Sequence, residues 1–281
     1  LDAFDKMGRE TPVLVDLKPS GVNYMDDFDK AGGLRVVMRE IKHLLNLDCL
    51  TISGRTLGEE IEAAPDPWPQ NVIRPLANPI NPTGGITVLR GNLAPRGAIF
   101  KQSAASSNLH THTGRAVVFD SLEDLTNRID LPDLDVTAED ILVLRNAGPI
   151  GAPGMPEAGY IPIPRKLAEQ GVKDMVRMSD ARMSGTAFGS IVLHICPEAA
   201  VGGPLSLVKT GDRISLDVPN RSLELLVDDA ELEKREAARG APISSDGLRG
   251  YRKLFMDHVQ QADEGCDMDF LTSRPFTART P

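Results

Sequence analysis

Aromatic side chains make up only 4% of the chain, with a single tryptophan, so an ordered interior has to be built from Leu, Ile, Val, Ala and Met. Cysteine is scarce as well: Cys49, Cys196 and Cys266 are far apart, odd in number and outside any CxxC or Cys/His spacing. That pattern argues against a disulfide framework and against a metal site made of these three alone; buried structural thiols are the expectation for each. No apolar run approaches the roughly 20 residues that cross a bilayer, and no charged-then-apolar segment opens the chain, so a cytoplasmic protein is expected. A basic excess is missing too. The formal net charge of −9 makes nucleic acid an unsuitable partner. The chain opens LDAFDKMG without an initiator methionine, which fits either a processed terminus or a sequence that starts inside a longer one.

What is present is an ordinary globular balance, 41% hydrophobic and 25% charged over 281 residues, enough for one large domain or two smaller ones. TPVLVDL (11–17) reads as a buried strand. LRVVMREIKHLLN, after Gly32-Gly33, has apolar residues at helical spacing. Thr56-Leu-Gly-Glu59 resembles a capping box that starts a second helix. Prolines at 65, 67, 69, 75, 79 and 82 then break regular structure, and a domain boundary is expected near residue 75. Beyond it come short β runs at 86–91, 97–102, 115–120, 140–146, 189–195, 205–209, 212–218 and 223–228. Helices are expected at 121–129 and 164–171, with two more in the tail. Many short strands with a few helices predict a closed or nearly closed mixed β-barrel with helices outside it.

Three segments carry polar groups with no obvious packing purpose. RNAGPIGAPGMPEAGYIP (145–162) is dense in glycine and proline around one carboxylate, Glu157, which is either a hard oxygen ligand for a cation or a solvated loop residue. VRMSDARMSGTAFGS (176–190) groups Ser179, Asp180, Arg182, Ser184 and Thr186 between small residues. These types suit anion binding or proton transfer, and equally suit capping and turns. No GxSxG elbow is present, which disfavours α/β-hydrolase chemistry. FKQSAASSNLHTHTG (100–114) contains Lys101, His110 and His112; without a third ligand at sensible spacing the His pair is expected in an exposed polar loop, while Lys101 could meet a substrate anion. His258 is expected to be a packed helix residue unless the tail folds over an active site.

Taken in order, DLKPSGVNYMDDFDKAGGL, ITVLRGNLAPRGAIFK, AGPIGAPGMPE, SDARMSGTAFG and PEAAVGGPLSLVKTGDRISLDV resemble the dihydroxy-acid/phosphogluconate dehydratases, from about residue 11 to 270. SDARMSGTAFG and the tail RGYRKLFMDHVQQADEGCDMDFL are similar to the aldonate branch, which includes L-arabinonate and D-xylonate dehydratases. The resemblance implies the C-terminal half of a protein about twice as long. Residues 1–75 would be the end of an α/β domain and 76–281 a β-barrel domain. It implies dehydration of a sugar acid to a 2-keto-3-deoxy acid with Mg2+ and an iron–sulfur cluster, 2Fe–2S favoured, whose ligands lie in the missing N-terminal half. By the same resemblance Glu157 is a magnesium ligand and Ser184 the base that removes the C2 proton. Thr186 and Arg182 orient substrate or stabilise the alkoxide, and His258 reaches the far hydroxyls. A homodimer or homotetramer is implied. A branched-chain dihydroxy-acid dehydratase and a non-catalytic sugar-acid-binding or assembly barrel are the alternatives.

Overall fold

The structure, a computed structural model, describes residues 1–64, 69–185 and 187–271. The chain forms two compact units, residues 2–86 and a second that runs from Thr87 onward and takes in Leu1.

Among the described residues the first unit holds four short helices, α1 (Asp2–Glu10), α2 (Met25–Lys30), α3 (Gly33–Glu40) and α4 (Leu57–Glu62). The capping box expected at Thr56 is formed: the Glu59 amide donates to Thr56 Oγ1 at 3.2 Å, and the Thr56 amide donates to the Glu59 carboxylate at 2.7 Å. TPVLVDL does not make a strand. Val13, Val15 and Leu17 each form a single bridge, to Asn81, Ile73 and Asn23, and only Leu14 of the run is buried. Its neighbours on the first unit are irregular, so a ladder has no second strand to grow on. Cys49, expected to be buried, is exposed, in a turn region without a covering element.

The second unit is a closed eight-stranded barrel of mixed direction. Its strands are β1 (Thr87–Gly91), β2 (Ala94–Phe100), β3 (Thr111–Phe119), β4 (Ile141–Leu144), β5 (Arg177–Ser179), β6 (Ile191–Cys196), β7 (Arg213–Asp217) and β8 (Ser222–Leu225). They are ordered β1-β2-β6-β5-β4-β3-β7-β8, and β8 returns to β1. Outside them lie α5 (Leu122–Arg128), α6 (Arg165–Glu169), α7 (Asp229–Ala238) and α8 (Gly250–His258). The mixed α/β architecture with a barrel and peripheral helices is the one the sequence predicts. One expected strand fails: LSLVK forms a 3-10 turn at Pro204–Leu207, where Pro204 supplies no ladder donor and begins the turn.

Direction explains burial. The first half of β3 pairs antiparallel with β7 and alternates in exposure. Its second half pairs parallel with β4, and there every residue from Ala116 to Phe119 is buried. β4 lies between two parallel neighbours and is buried throughout. Side chains divide by the two-residue period. Ala116, Val118, Ile141, Val143 and Met178 join the barrel interior with Leu89, Phe100 and Leu216. Val117, Phe119, Leu142 and Leu144 face outward onto Leu125 and Ile129 of α5 and Leu167 of α6.

The parallel block β3–β6 sets the site. β3, β4 and β5 end level at Phe119, Leu144 and Ser179, and β6 runs the same way on to Cys196, so the segments that follow β4, β5 and β6 leave from one end of the barrel. Residues 180–190 must then return along the barrel to the opposite end, where β6 begins. None of the described helices is long and apolar enough to cross a membrane.

Leu142 is fully buried between the sheet and the outer helices. Leu142→Ala should lower stability by about 3 kcal/mol, read from the shift of the urea midpoint at constant slope.

Candidate functional site

Two buried charged clusters, one at each end of the parallel block, hold the segments singled out in the sequence. At the end where β4, β5 and β6 finish, Asp180 is 1% exposed and accepts from the backbone N–H of Ala147 (2.9 Å), Ala199 (2.9 Å) and Asn146 (3.2 Å). Glu198, also 1% exposed, accepts from Ile150 and Gly151 N–H and from the Gln261 side chain at 2.7 Å. Two carboxylates thus gather the amides of the loop 145–151, which its glycines leave open to close approach. A Cβ at Gly148 would meet the Glu198 carboxylate at 2.6 Å. Ser179 accepts from the Ala181 amide at 3.0 Å, so this residue and Asp180 serve backbone satisfaction, the blander of the two roles their types suggested.

At the opposite end Arg177 is 2% exposed. Its guanidinium donates to the Tyr160 and Ile161 carbonyls, both at 3.0 Å, and pairs with Asp174 at 3.1 Å. Asp174 in turn accepts from the Ser190 amide (2.9 Å), the Ser190 hydroxyl (2.8 Å) and the Ser106 amide (3.1 Å). These donors hold the Asp174 pKa below its ordinary value against the opposing effect of burial. Gly189 N–H donates to the Ala104 carbonyl at 2.8 Å, and a Cβ on Gly189 would sit 1.9 Å from Arg177. One ion pair therefore touches all three chemically suggestive segments: 100–114, 145–162 and 176–190.

Between the two clusters the loops run side by side. Arg182 Nη1 donates to Glu157 Oε1 at 3.0 Å, and its Nε donates to the Met155 carbonyl at 2.6 Å. The Gly159 amide donates back to the Arg182 carbonyl at 2.7 Å. Glu157 and Arg182, 25 residues apart, are brought into contact, and Ser184 follows two residues later with its backbone carbonyl accepting from Ala187. Lys101, at the end of β2, reaches the same loop: its ammonium donates to the Gly185 carbonyl at 2.8 Å. Thr186 lies outside the described residues. His258 sits elsewhere, on α8, with its ring paired to Asp269 at 2.9 Å and edge-on to Phe270.

The tail does fold onto this end of the barrel. Met256 and Val259 pack with Ile150 and Ala200, and Gln261 reaches Glu198. A cavity of about 510 Å3 separates residues 151–154 and Pro156 from Tyr251, Arg252 and Phe255. The His pair is only half in a loop: His110 lies in the bend before β3, edge-on to Phe100, whereas His112 belongs to β3 and meets the Glu139 carbonyl at 2.9 Å. Among the described residues no three His, Cys, Asp or Glu side chains converge on a metal position.

Glu157 is half-exposed and offers one hard oxygen ligand, which fits a divalent cation completed by other groups. The cysteines do not fit a cluster. Cys196 is buried, which pushes its thiol up to about 12, Cys266 lies against Met155 Sδ at 3.4 Å, and exposed Cys49 belongs to the first unit.

Sequence comparison places the chain in a family. Residues 71–266 match the dihydroxy-acid/6-phosphogluconate dehydratase C-terminal domain, and residues 1–60 match the N-terminal domain of the same family. Similar proteins include L-arabonate dehydratase of Azospirillum brasilense, 50% identical over 96% of this chain and 48% of its own length. L-arabinonate dehydratase of Rhizobium leguminosarum bv. trifolii is 49% identical over 96% of this chain and 47% of its own length. For 6-deoxy-6-sulfo-D-gluconate dehydratase of Pseudomonas putida the identity is 48%, over all of this chain and 49% of the relative. The chain belongs to the dihydroxy-acid/6-phosphogluconate dehydratase family, and it spans about half the length of the curated relatives it matches.

Burial raises the Asp180 pKa from 3.8 to about 6, although three amides oppose the shift. A folded-state pKa above the unfolded value means that the folded state binds the proton more tightly. The penalty of the buried charge therefore grows as pH rises from about 4 to 6 and is complete above that, on the order of 3 kcal/mol. Asp180→Asn removes the titration. Urea unfolding at pH 4, 5, 6 and 7 should show the stability of the variant rising relative to the parent across this window, and a constant difference would contradict it.

Proposed function

We propose that this chain is the C-terminal half of a sugar-acid dehydratase that converts an aldonate to a 2-keto-3-deoxy acid. The observation that carries the reading is the Glu157–Arg182 contact at 3.0 Å, which joins the glycine-rich loop to the segment of Ser184. A proton-abstracting group and a carboxylate with an unspent oxygen thus share one stretch of the barrel's surface. The named activities of the relatives support it: those at 48–50% identity act on sugar acids, whereas those named dihydroxy-acid dehydratase are 40–43% identical.

In this reading Ser184 Oγ takes the C2 proton of the substrate. Loss of the 3-hydroxyl, as water once protonated, leaves an enol that tautomerises to the 2-keto-3-deoxy acid. Glu157 would hold Mg2+ as one of several ligands. Bound there, magnesium would acidify the C2 hydrogen and stabilise the enolate charge. Arg182 keeps the Glu157 loop against the Ser184 segment and shields the carboxylate charge. Thr186 and Arg182 orient substrate, and His258, held by Asp269, serves the far hydroxyls. The cysteines of this chain do not suit an iron–sulfur cluster, so departure of the 3-hydroxyl is assigned to no residue here. The cluster ligands and the remaining magnesium ligands would belong to the N-terminal half. Residues 1–75 would close that half, with 76 onward the barrel domain, in a cytoplasmic homodimer or homotetramer.

The test uses the full-length protein and a panel of aldonic acids, with 2-keto-3-deoxy acid as the product assayed. Ser184→Ala should lower kcat by about 100- to 10,000-fold while fold and cofactor content stay at the parent's level. Glu157→Gln should weaken the magnesium dependence of the rate. Substantial turnover by the Ser184 variant would remove it from the base role.

A further inference from the structure

Three cations approach the segment 180–190, and two are already neutralised. Arg177 is paired with Asp174, and Arg182 with Glu157. Lys101 is different. Its ammonium donates to the Gly185 carbonyl at 2.8 Å, one residue beyond Ser184, and among the described residues it has no carboxylate within ion-pairing distance. It is partly buried, and burial alone lowers its pKa from the ordinary value. A desolvated ammonium without a counter-charge is costly, and it gains from an anion that forms beside it.

Its position is fixed by the fold. Lys101 follows the last residue of β2, and its carbonyl accepts from the Ala104 amide at 3.1 Å in the short 3-10 turn Gln102–Ala104. Ala104 then receives the Gly189 amide at 2.8 Å. The Ser184 segment is thus gripped from the β2 end at two places, Gly185 by a side chain and Gly189 by backbone. The backbone contact alone would tether the loop. The lysine adds charge, and no acidic partner uses it.

We propose that Lys101 is a positioning residue that supplies the uncompensated positive charge favouring the Ser184 alkoxide, the form that takes the C2 proton and becomes the neutral hydroxyl. The inference rests on Ser184 being the base. An alkoxide at Ser184 is a poor species near neutral pH without a nearby positive charge or donor. Arg182 is spent on Glu157, so Lys101 is the cation of this segment with charge to give. The charge acts before the C2 proton moves: it raises the share of bound enzyme in which Ser184 Oγ is ionised and able to take that proton.

The experiment uses the full-length holoenzyme with an aldonate and the same substrate deuterated at C2. Lys101→Gln keeps a donor for the Gly185 carbonyl and removes the charge; Lys101→Met removes both, and Lys101→Arg keeps charge and donor. The glutamine variant should lose about 10- to 100-fold in kcat with KM within about twofold, and its C2 deuterium isotope effect should rise as proton abstraction becomes slower. Arginine should restore most of the rate, and all three urea midpoints should match the parent. Full activity in the glutamine variant, a higher KM at unchanged kcat, or an arginine variant as slow as glutamine would each overturn the proposal. So would loss of activity in step with a lowered urea midpoint. Ser184→Ala is assayed alongside: if it stays active the base assignment has failed, and if it is inactive while Lys101→Gln is not, only the role of Lys101 has failed.

Discussion

A fully buried guanidinium is the constraint on which the arrangement depends. Arg177 cannot give up its proton and cannot stay inside the protein without partners, so its environment must supply an anion and several carbonyls. Asp174 provides the anion, and the Tyr160 and Ile161 carbonyls fill the remaining fork. Asp174 has lone pairs left over, and these take the Ser190 and Ser106 donors. The planar, forked geometry of arginine lets one side chain hold the 160–161 carbonyls and Asp174 at once, and Asp174 extends the grip to Ser106 and Ser190. A point charge such as lysine could not reach the same set.

The second buried cluster works with opposite sign. Asp180 and Glu198 hold backbone amides at the other end of the parallel strands and, among the described residues, pair with no arginine or lysine. Charge is stabilised there by peptide dipoles gathered from a loop whose glycines permit close approach. The glycine-rich loop is therefore clamped through its N–H groups near residues 146–151 and through its carbonyls at 160–161, with Glu157 in the span between. That span is the part free to offer a carboxylate outward. The pairing with Arg182 ties it to the segment that carries Ser184, which is why one contact carries the functional reading.

Much of the barrel was legible because half-buried strands alternate and parallel ones read as apolar runs. ITVLRG, DILVLRN and DRISLDV each contain a strand of the structure, and RAVVFD and LELLVD each overlap one. β5 was not, since three residues inside a polar motif give no period to read. LSLVK has the apolar composition of a strand, yet Pro204 before it begins a 3-10 turn and leaves no ladder to form. Glu157, Arg182 and Ser184 stood out through resemblance to a family, and their mutual contact needed the fold. The buried charges Asp174, Arg177 and Glu198 were not legible as such, and for Asp180 both a functional and a capping role stayed open. A charged letter reads as solvated surface unless its partners are known, and these partners lie up to 68 residues away. One faint signal existed: Arg177 interrupts the otherwise apolar run Met175, Val176, Met178, all fully buried.

The buried Arg177–Asp174 pair holds three segments in common, and Arg177→Lys tests this most directly because it keeps the charge and removes the fork. Hydrogen–deuterium exchange should show protection lost together around residues 104–106, 158–163 and 187–190, with β1, β7 and β8 unchanged. Loss confined to one of the three, or a uniform loss over the whole barrel, would contradict the account.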